Sequence, residues 1–460
     1  MRRLRLLWVT PQLPRRGVSA ARERWWQLLG RLASRHAVTL LAFVDPEDEG
    51  AASLLPPGLA ATHLVPRRPH RPEDPLALLP QAVAGGLACP DFRAAVAARL
   101  AADAYDVVQY EFTEAAYCIP PGTDVRSVLT VHQVGFAQER PAWRAAGGGP
   151  RMAAVRFHRW LRELDFGLGA VGCVDRVVTM SSEDAARLRR FHADLPLSVS
   201  PCGVDCDELR PPPAPEPPAV DLVFLGHFGH PPNVDAVQFL VRDVMPRLGR
   251  PVRLRIVGRG VVPAVAALAR PGSVEIAGAV DDVRPHLRAG AVFVAPVRFG
   301  TGMRGKVLEA LALGRPVVTT TVGAEGLAAR PGQHLLVADG AAEFAAAVAR
   351  VLGDPRLAAE LGAQGRTLVE ARFDWSAIAA AHDAIYDAVL RDPPRAAPRP
   401  LASGGRLAPL AARLGYLPGL ALGVGLLGTR ALRWHARRPT TSAARPVLDR
   451  PVHARGGNPV

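Results

Sequence analysis

Apolar residues along this 460-residue chain fall into short runs separated by longer amphipathic stretches. Leu4–Val9 and Ala37–Val44 are apolar runs of strand length. Between them, Ala20–Arg35 places Trp25, Leu28, Leu29 and Leu32 on one face and Arg22, Arg24, Arg31 and Arg35 elsewhere, which is the helical period. Asp106–Tyr110, Ser127–Val131 and Arg176–Met180 read as further strands, with helices near 94–103, 150–172 and 182–191. Strand and helix in alternation predict a parallel sheet covered on both faces.

Pro211-Pro-Pro-Ala-Pro-Glu-Pro-Pro218 is a stiff, extended linker, and the alternation restarts after it. Asp221–Leu225, Val252–Val257, Val274–Ile276, Ala291–Ala295 and Pro316–Thr320 read as strands. Asn233–Leu248, Val261–Ala269, Val283–Ala289 and Met303–Leu313 read as the helices between them, and helices near 341–352, 355–371 and 376–391 end the body. The expected division is a first domain over 1–210, a linker over 211–219, a second domain over 220–374, a terminal helix over 375–391 and a tail over 392–460. The expected fold class is α/β, two Rossmann-like parallel-sheet domains plus a basic Pro/Arg/Gly-rich tail.

Charge changes this picture only at the end. The net charge is +14, and residues 391–460 hold 12 arginines and 2 aspartates, or +10 of it. The body is near-neutral, so the basic composition does not argue for nucleic acid, and no nucleic-acid-binding signature is present. Within the tail, Leu414–Thr429 is a 16-residue uncharged run flanked by arginines. It is shorter than the ~20 residues that span a bilayer. It reads as a loose tail or as an interfacial anchor on an anionic membrane face. The apolar run of Met1–Thr10 is too short for a signal peptide. Five cysteines without a CxxC spacing suggest reduced thiols. The expected location is cytoplasmic, with peripheral contact at the inner face of the plasma membrane as the alternative.

Chemistry concentrates in residues 296–320. Of 56 basic residues, Lys306 is the only lysine. It follows Phe299-Gly300-Thr301-Gly302-Met303-Arg304-Gly305, at the carboxyl end of a predicted strand. Glycines there let the backbone turn and approach a ligand. The predicted helix start presents free N–H groups and a positive dipole end, suited to a diphosphate. Lys306 can reach the same phosphates as a point charge. Glu309 shares its face three residues on, and a carboxylate there suits the vicinal hydroxyls of a ribose. The alternative is a surface Lys306–Glu309 pair of little consequence.

The stretch Gly300–Thr319 resembles the nucleotide-sugar signature of the family 4 glycosyltransferases, which have the two-domain GT-B fold. Val199-Ser-Pro-Cys-Gly203-Val204-Asp205, Phe224-Leu-Gly226-His227, Ile256-Val-Gly258-Arg-Gly260, Gly278-Ala-Val280-Asp281-Asp282-Val283 and Val322-Gly323-Ala-Glu325-Gly326-Leu327 resemble further family segments in order. The likeness spans roughly residues 1–390. It implies two domains facing each other, a terminal helix that returns to the first, and a nucleoside-diphosphate sugar in the cleft. It implies transfer with retention and without a metal or cofactor, to a polysaccharide, glycolipid or small glycoside acceptor.

Residue by residue, the resemblance makes Lys306 and His132 the catalytic candidates. Glu309, Gly300, Thr301, Gly302, Met303, Arg304, Gly226, His227 and Gly17 are the donor-binding candidates, and Glu111 an acceptor-binding one. Three features depart from the pattern. Thr301 stands where the family's first E-x7-E glutamate is expected, Gln133 replaces an aspartate after His132, and the family's basic pair after the first strand of the second domain is absent, with His227 and Asn233 in that region and Lys306, or Arg304, as the cation expected in its place. These departures keep a rival open, a non-catalytic sugar-binding protein on the same fold. A sugar-nucleotide epimerase is a third reading. Asp205-Cys-Asp207 mimics a metal-binding Asp-x-Asp but lacks a matching acidic cluster, and Gly258-Arg-Gly260 is not completed to a dinucleotide fingerprint.

Overall fold

The structure, a computed structural model, describes residues 2–48, 50–67, 87, 89–120, 122–134, 150–212, 217–300 and 303–395. Thr301, Gly302, the middle of the linker and the tail from 396 onward lie outside the described residues, so the expectations placed on them stay as such.

Two parallel sheets form the body. The first has seven strands, β1 (Arg5–Thr10), β2 (Ala37–Val44), β3 (Ala61–Pro66), β4 (Val107–Glu111), β5 (Arg126–Val131), β6 (Arg176–Thr179) and β7 (Leu197–Val199), in the order β3-β2-β1-β4-β5-β6-β7. The second has six, β8 (Val220–Leu225), β9 (Leu254–Val257), β10 (Val274–Gly278), β11 (Gly290–Ala295), β12 (Val317–Thr319) and β13 (Leu336–Val337), in the order β10-β9-β8-β11-β12-β13.

Alternation along each strand divides its side chains between two helical layers. Leu6 and Trp8 of β1 pack with Trp25, Leu28 and Leu32 of α1 (Ala20–Ala33), while Leu7 and Val9 pack with Phe92 and Val96 of α2 (Pro90–Ala102) and Leu164 of α3 (Pro150–Gly172). α4 (Ser182–Arg189) follows β6. In the second sheet, Leu222 and Phe224 join one core and Val223 another. Its helices are α5 (Pro231–Phe239), α6 (Pro263–Ala266), α7 (Arg284–Arg288), α8 (Gly305–Ala312), α9 (Ala341–Gly353) and α10 (Pro355–Arg372).

The last helix, α11 (Trp375–Arg391), follows α10 but packs on the first sheet's layer. Trp8 Nε1 donates to Tyr386 Oη at 3.2 Å, and buried Asp383 meets His36 Nε2 at 2.9 Å and Arg35 at 2.6 Å. Gly203, where the chain passes between domains, is tight against this helix. A Cβ there would stand 2.6 Å from Ile378 Cδ1 and 2.7 Å from Phe373 O.

Several sequence expectations shift. The helix expected over Asn233–Leu248 breaks into α5, a wide π turn over Leu240–Val244 and a 3-10 turn over Met245–Arg247. Pro246 has no N–H to continue the α pattern. α6 is a single turn instead of Val261–Ala269, and α8 starts at Gly305 instead of Met303. Strands β3, β7 and β13 were not expected from the pattern. All lie at or next to sheet edges, where alternation is weak and strands are short.

Candidate active site

Strand order reverses at β1/β4 in one sheet and at β8/β11 in the other, and crevices open at the carboxyl ends of such strands. In the second domain, β8 leads into Gly226-His227 and β11 leads through Gly300 into α8. The two loops meet. Lys306 Nζ donates to Asn233 Oδ1 at 2.6 Å and lies 4.2 Å from the centre of the Phe224 ring. Asn233 Nδ2 donates in turn to His227 O at 2.8 Å. Asn233 therefore ties the ammonium to the loop after β8.

Glycines allow this closeness. Gly258 has φ +143°, and a Cβ there would fall 1.7 Å from Gly226 O. A Cβ on Gly226 would stand 2.9 Å from Phe224 and 3.0 Å from Asn233 Cγ. Gly300, at φ +106°, faces the Arg304 guanidinium and Pro232. Met303 packs beside Gly326 of the loop after β12.

Charge in this corner is positive. Burial pushes the half-buried Lys306 down to about 7, with Arg304 adding to the fall and Glu309 opposing it. Burial likewise lowers Arg304, which Glu325 opposes. His230 is lowered by burial and by Arg304, Lys306 and His227, which places these four groups together. His227 itself accepts from the Gly229 amide at 3.1 Å through Nδ1. Glu309 is half-buried and its carboxyl is raised by burial, with Lys306 opposing and Glu23 of the first domain adding. Lys306 bonds Asn233 and not Glu309, so the two are not a surface ion pair.

The facing wall comes from the first domain. His132 follows β5. Its ring stacks on Phe112 at 4.1 Å and 6° and meets Trp25 edge-on at 5.9 Å. Its Nε2 bonds Glu111 Oε2 at 2.8 Å. The expectation that Glu111 meets an acceptor hydroxyl is corrected here. The residue is fully buried, and both oxygens are engaged by protein groups. Gly17 lies in the loop after β1 at φ +71°, as a close-approach glycine requires, but its amide donates to Glu23 Oε2 at 2.9 Å instead of facing an open phosphate position. Arg16 of that loop pairs with Glu208 at 2.6 Å.

Two further contacts link the domains. Arg187 of α4 is hydrogen-bonded to Glu325, in the loop after β12, and Arg259 Nη2 donates to Val18 O at 3.1 Å. Beneath them, buried Arg24 donates to Ser200 Oγ at 3.0 Å and Pro201 O at 2.8 Å, and lies 3.3 Å from His382 Nε2. The Asp205/Asp207 decoy has a structural role. Asp205 Oδ1 accepts from the amides of Asp207 and Glu208 at 3.0 Å each, and Asp207 pairs with Arg210 at 2.5 Å. Among the described residues no group of three or more His, Cys, Asp or Glu is placed to hold a metal ion.

Sequence reasoning missed Phe112, Trp25, Glu23 and the bridging role of Asn233. Only Asn233 left a signal, three residues into a Pro-Pro-Asn helix start beside the Gly226 loop.

With two such sheets and a cleft at both reversal points, the chain has the GT-B architecture. Residues 219–354, the stretch that carries Lys306 and Glu309, match the family model of Glycosyl transferases group 1. A D-inositol 3-phosphate glycosyltransferase of Streptomyces griseus is 30% identical over 265 residues, 48% of this chain and 55% of that protein. The chain thus spans about half the length of the curated relatives it matches. Sucrose-phosphate synthase from Thermosynechococcus elongatus has a similar fold, with a TM-score of 0.62 at 21% identity, over 84% of this chain and 99% of the other. HepE of Anabaena, solved in complex with UDP, follows at 0.58 and 14% identity, over 84% and 100%.

Proposed function

We propose that the protein transfers a sugar from a nucleoside-diphosphate sugar to a carbohydrate or lipid-linked acceptor, with retention and without a metal ion. The observation that carries this reading is the Lys306–Asn233 bond at 2.6 Å. It holds the single lysine where the loops after β8 and β11 converge, within the region matched by the family model. The diphosphate of the donor would lie against Lys306, Arg304 and the first amides of α8. These groups act on the charge that develops on the leaving phosphate, which is where stabilisation lowers a barrier. The Glu309 carboxylate would take the ribose hydroxyls. HepE binds UDP and glucose, and a UDP-sugar is the first donor to try here.

His132 would bond a sugar hydroxyl from the first domain's side of the cleft. Thr301 and Gly302 would complete the donor loop. A polysaccharide or glycolipid product and a cytoplasmic site are part of the proposal. No helix among the described residues is long and apolar enough to cross a membrane. Contact with an anionic membrane face would therefore fall to the arginine-rich tail.

The test is turnover of a panel of UDP- and GDP-sugars, read as transfer and as slow donor hydrolysis. Turnover lost in Lys306→Met supports the reading. Donor binding without turnover by the intact protein overturns it in favour of a sugar-binding protein. Deleting 392–460 tests the tail: loss from the membrane fraction supports the anchor, and an unchanged distribution refutes it.

A further inference from the structure

His132 is held from three sides, and the third restraint is a carboxylate with no other outlet. Glu111 ends β4 and is fully buried. Its Oε1 accepts from Gln109 Nε2 at 3.2 Å and Thr130 Oγ1 at 3.1 Å. Its Oε2 accepts from Trp25 Nε1 at 2.9 Å and meets His132 Nε2 at 2.8 Å. An indole N–H and an amide NH2 can only donate, so both oxygens act as acceptors. His132 is the one partner in this set whose side chain reaches the surface, at 10% exposure against 0% for Glu111. The next residue, Phe112, adopts φ +71°, which is strained for an aromatic residue, and lies flat on the imidazole at 4.1 Å. Strain of this kind persists only where neighbours over-determine it, and it clusters at functional sites.

We infer that Glu111 is a positioning residue. It fixes His132 as the Nε2–H tautomer, so that Nδ1 is the ring atom left to accept a hydrogen bond from a sugar hydroxyl. The second nitrogen of a histidine is set by the bond the first one makes. Trp25 and Phe112 hold the ring plane, and Glu111 sets its rotation and proton. Among the described residues no hydrogen bond to Nδ1 is present. The groups that act on Glu111 from other elements are Arg24 of α1 and His382 of α11, and Glu114 lies close enough to feel His132. Arg24 and His382 are fully buried. This assignment rests on the transferase reading for the identity of the hydroxyl, but the tautomer does not.

The experiment has two arms. The full-length protein is labelled with 15N-histidine, and the His132 signals are assigned by their loss in His132→Gln. The expected spectrum of the wild type shows a protonated Nε2 and an unprotonated Nδ1, and Glu111→Gln changes it toward the other tautomer or a mixture. A wild-type spectrum with Nδ1 protonated and Nε2 bare overturns the inference without any variant having to fold. In the second arm, Glu111→Gln lowers kcat with the chosen donor by about 10- to 100-fold, the worth of one charge-assisted hydrogen bond. Glu111→Asp recovers part of it, and Glu111→Gln combined with His132→Gln is no worse than His132→Gln alone. Full activity in a folded Glu111→Gln protein contradicts the inference. If the wild type turns over no donor while the spectrum is as expected, the transferase reading fails and the positioning stands.

Discussion

Lys306 Nζ and Asn233 Oδ1 lie 2.6 Å apart across 73 residues of chain, and their bond joins the start of α8 to the start of α5. Through it the two loops at the second sheet's reversal point become one wall. Even a half-buried ammonium is costly with only a neutral partner, unless a ligand supplies the negative charge. Lys306→Met is therefore expected to raise the melting temperature, by the equivalent of about 1 kcal/mol or more, while weakening nucleoside-diphosphate binding about 10- to 100-fold. Differential scanning fluorimetry with and without UDP reads both. A variant that is less stable yet binds normally would contradict the role given to Lys306.

The same ammonium sets a pH dependence. Burial lowers Lys306 from its ordinary 10.5 to about 7, so in the free protein it loses its proton as pH rises through 7. A bound diphosphate favours the charged form. Affinity should be highest below pH 7 and fall as pH rises above it, with binding there taking up a proton. Calorimetry in buffers of different ionisation enthalpy measures this uptake. The stability term has its own sign. Between 7 and 10.5 the unfolded chain binds more protons at this residue than the folded one, so the cost of burying Lys306 shrinks as pH rises.

His382 gives the acid limb. It is fully buried beside Arg24, and burial first, then Arg24, lowers it from 6.5 to about 3. Below 6.5 the unfolded chain takes a proton here that the folded chain refuses until about 3. Stability is thus lost as pH falls through that window, at up to about 1.4 kcal/mol per pH unit. His382→Gln keeps an acceptor for Arg24 and removes this slope. Urea midpoints from pH 7 to pH 4 for the two proteins would show it.

Much of the architecture was legible in the sequence because the central strands are nearly all apolar and the helices between them are amphipathic. Leu222–Leu225 and Val292–Ala295 are runs that only a doubly covered parallel strand requires. Edge strands such as Leu197–Val199 have little burial to enforce a pattern, so nothing marked them. The site was half legible. A lone lysine and a glycine pair pointed to the donor loop, but the packing of Phe112 on His132 and the reach of Asp383 to His36 depend on contacts far apart in sequence. Glu111 was recognised as a polar residue at a strand end, while its direction, inward to His132, is set by tertiary packing.

Glycine positions separate close approach from mere turning. Gly258→Ala would drive a Cβ to 1.7 Å from Gly226 O at φ +143° and should cost more than about 3 kcal/mol, or prevent folding of the second domain. Gly17→Ala meets nothing within 4 Å at φ +71° and should cost only about 1 kcal/mol. Equal effects in thermal denaturation would contradict the close contact of the loops after β8 and β9.

Arg187 and Glu325 span the cleft, and Glu325 also acts on Arg304 beside the donor loop. Arg187→Ala should favour a more open arrangement of the domains and raise the KM for donor several-fold with less effect on kcat. Small-angle scattering would show a larger radius of gyration. An unchanged radius and KM would mean that this contact does not hold the closed form.

The central claim is that Lys306 and Glu309 receive the diphosphate and the ribose of an activated sugar. A crystal soaked with UDP or GDP tests it most directly. The account predicts density for the diphosphate against Lys306 Nζ and the first amides of α8, with the ribose hydroxyls on Glu309. Nucleotide bound elsewhere, with this corner empty, would contradict it.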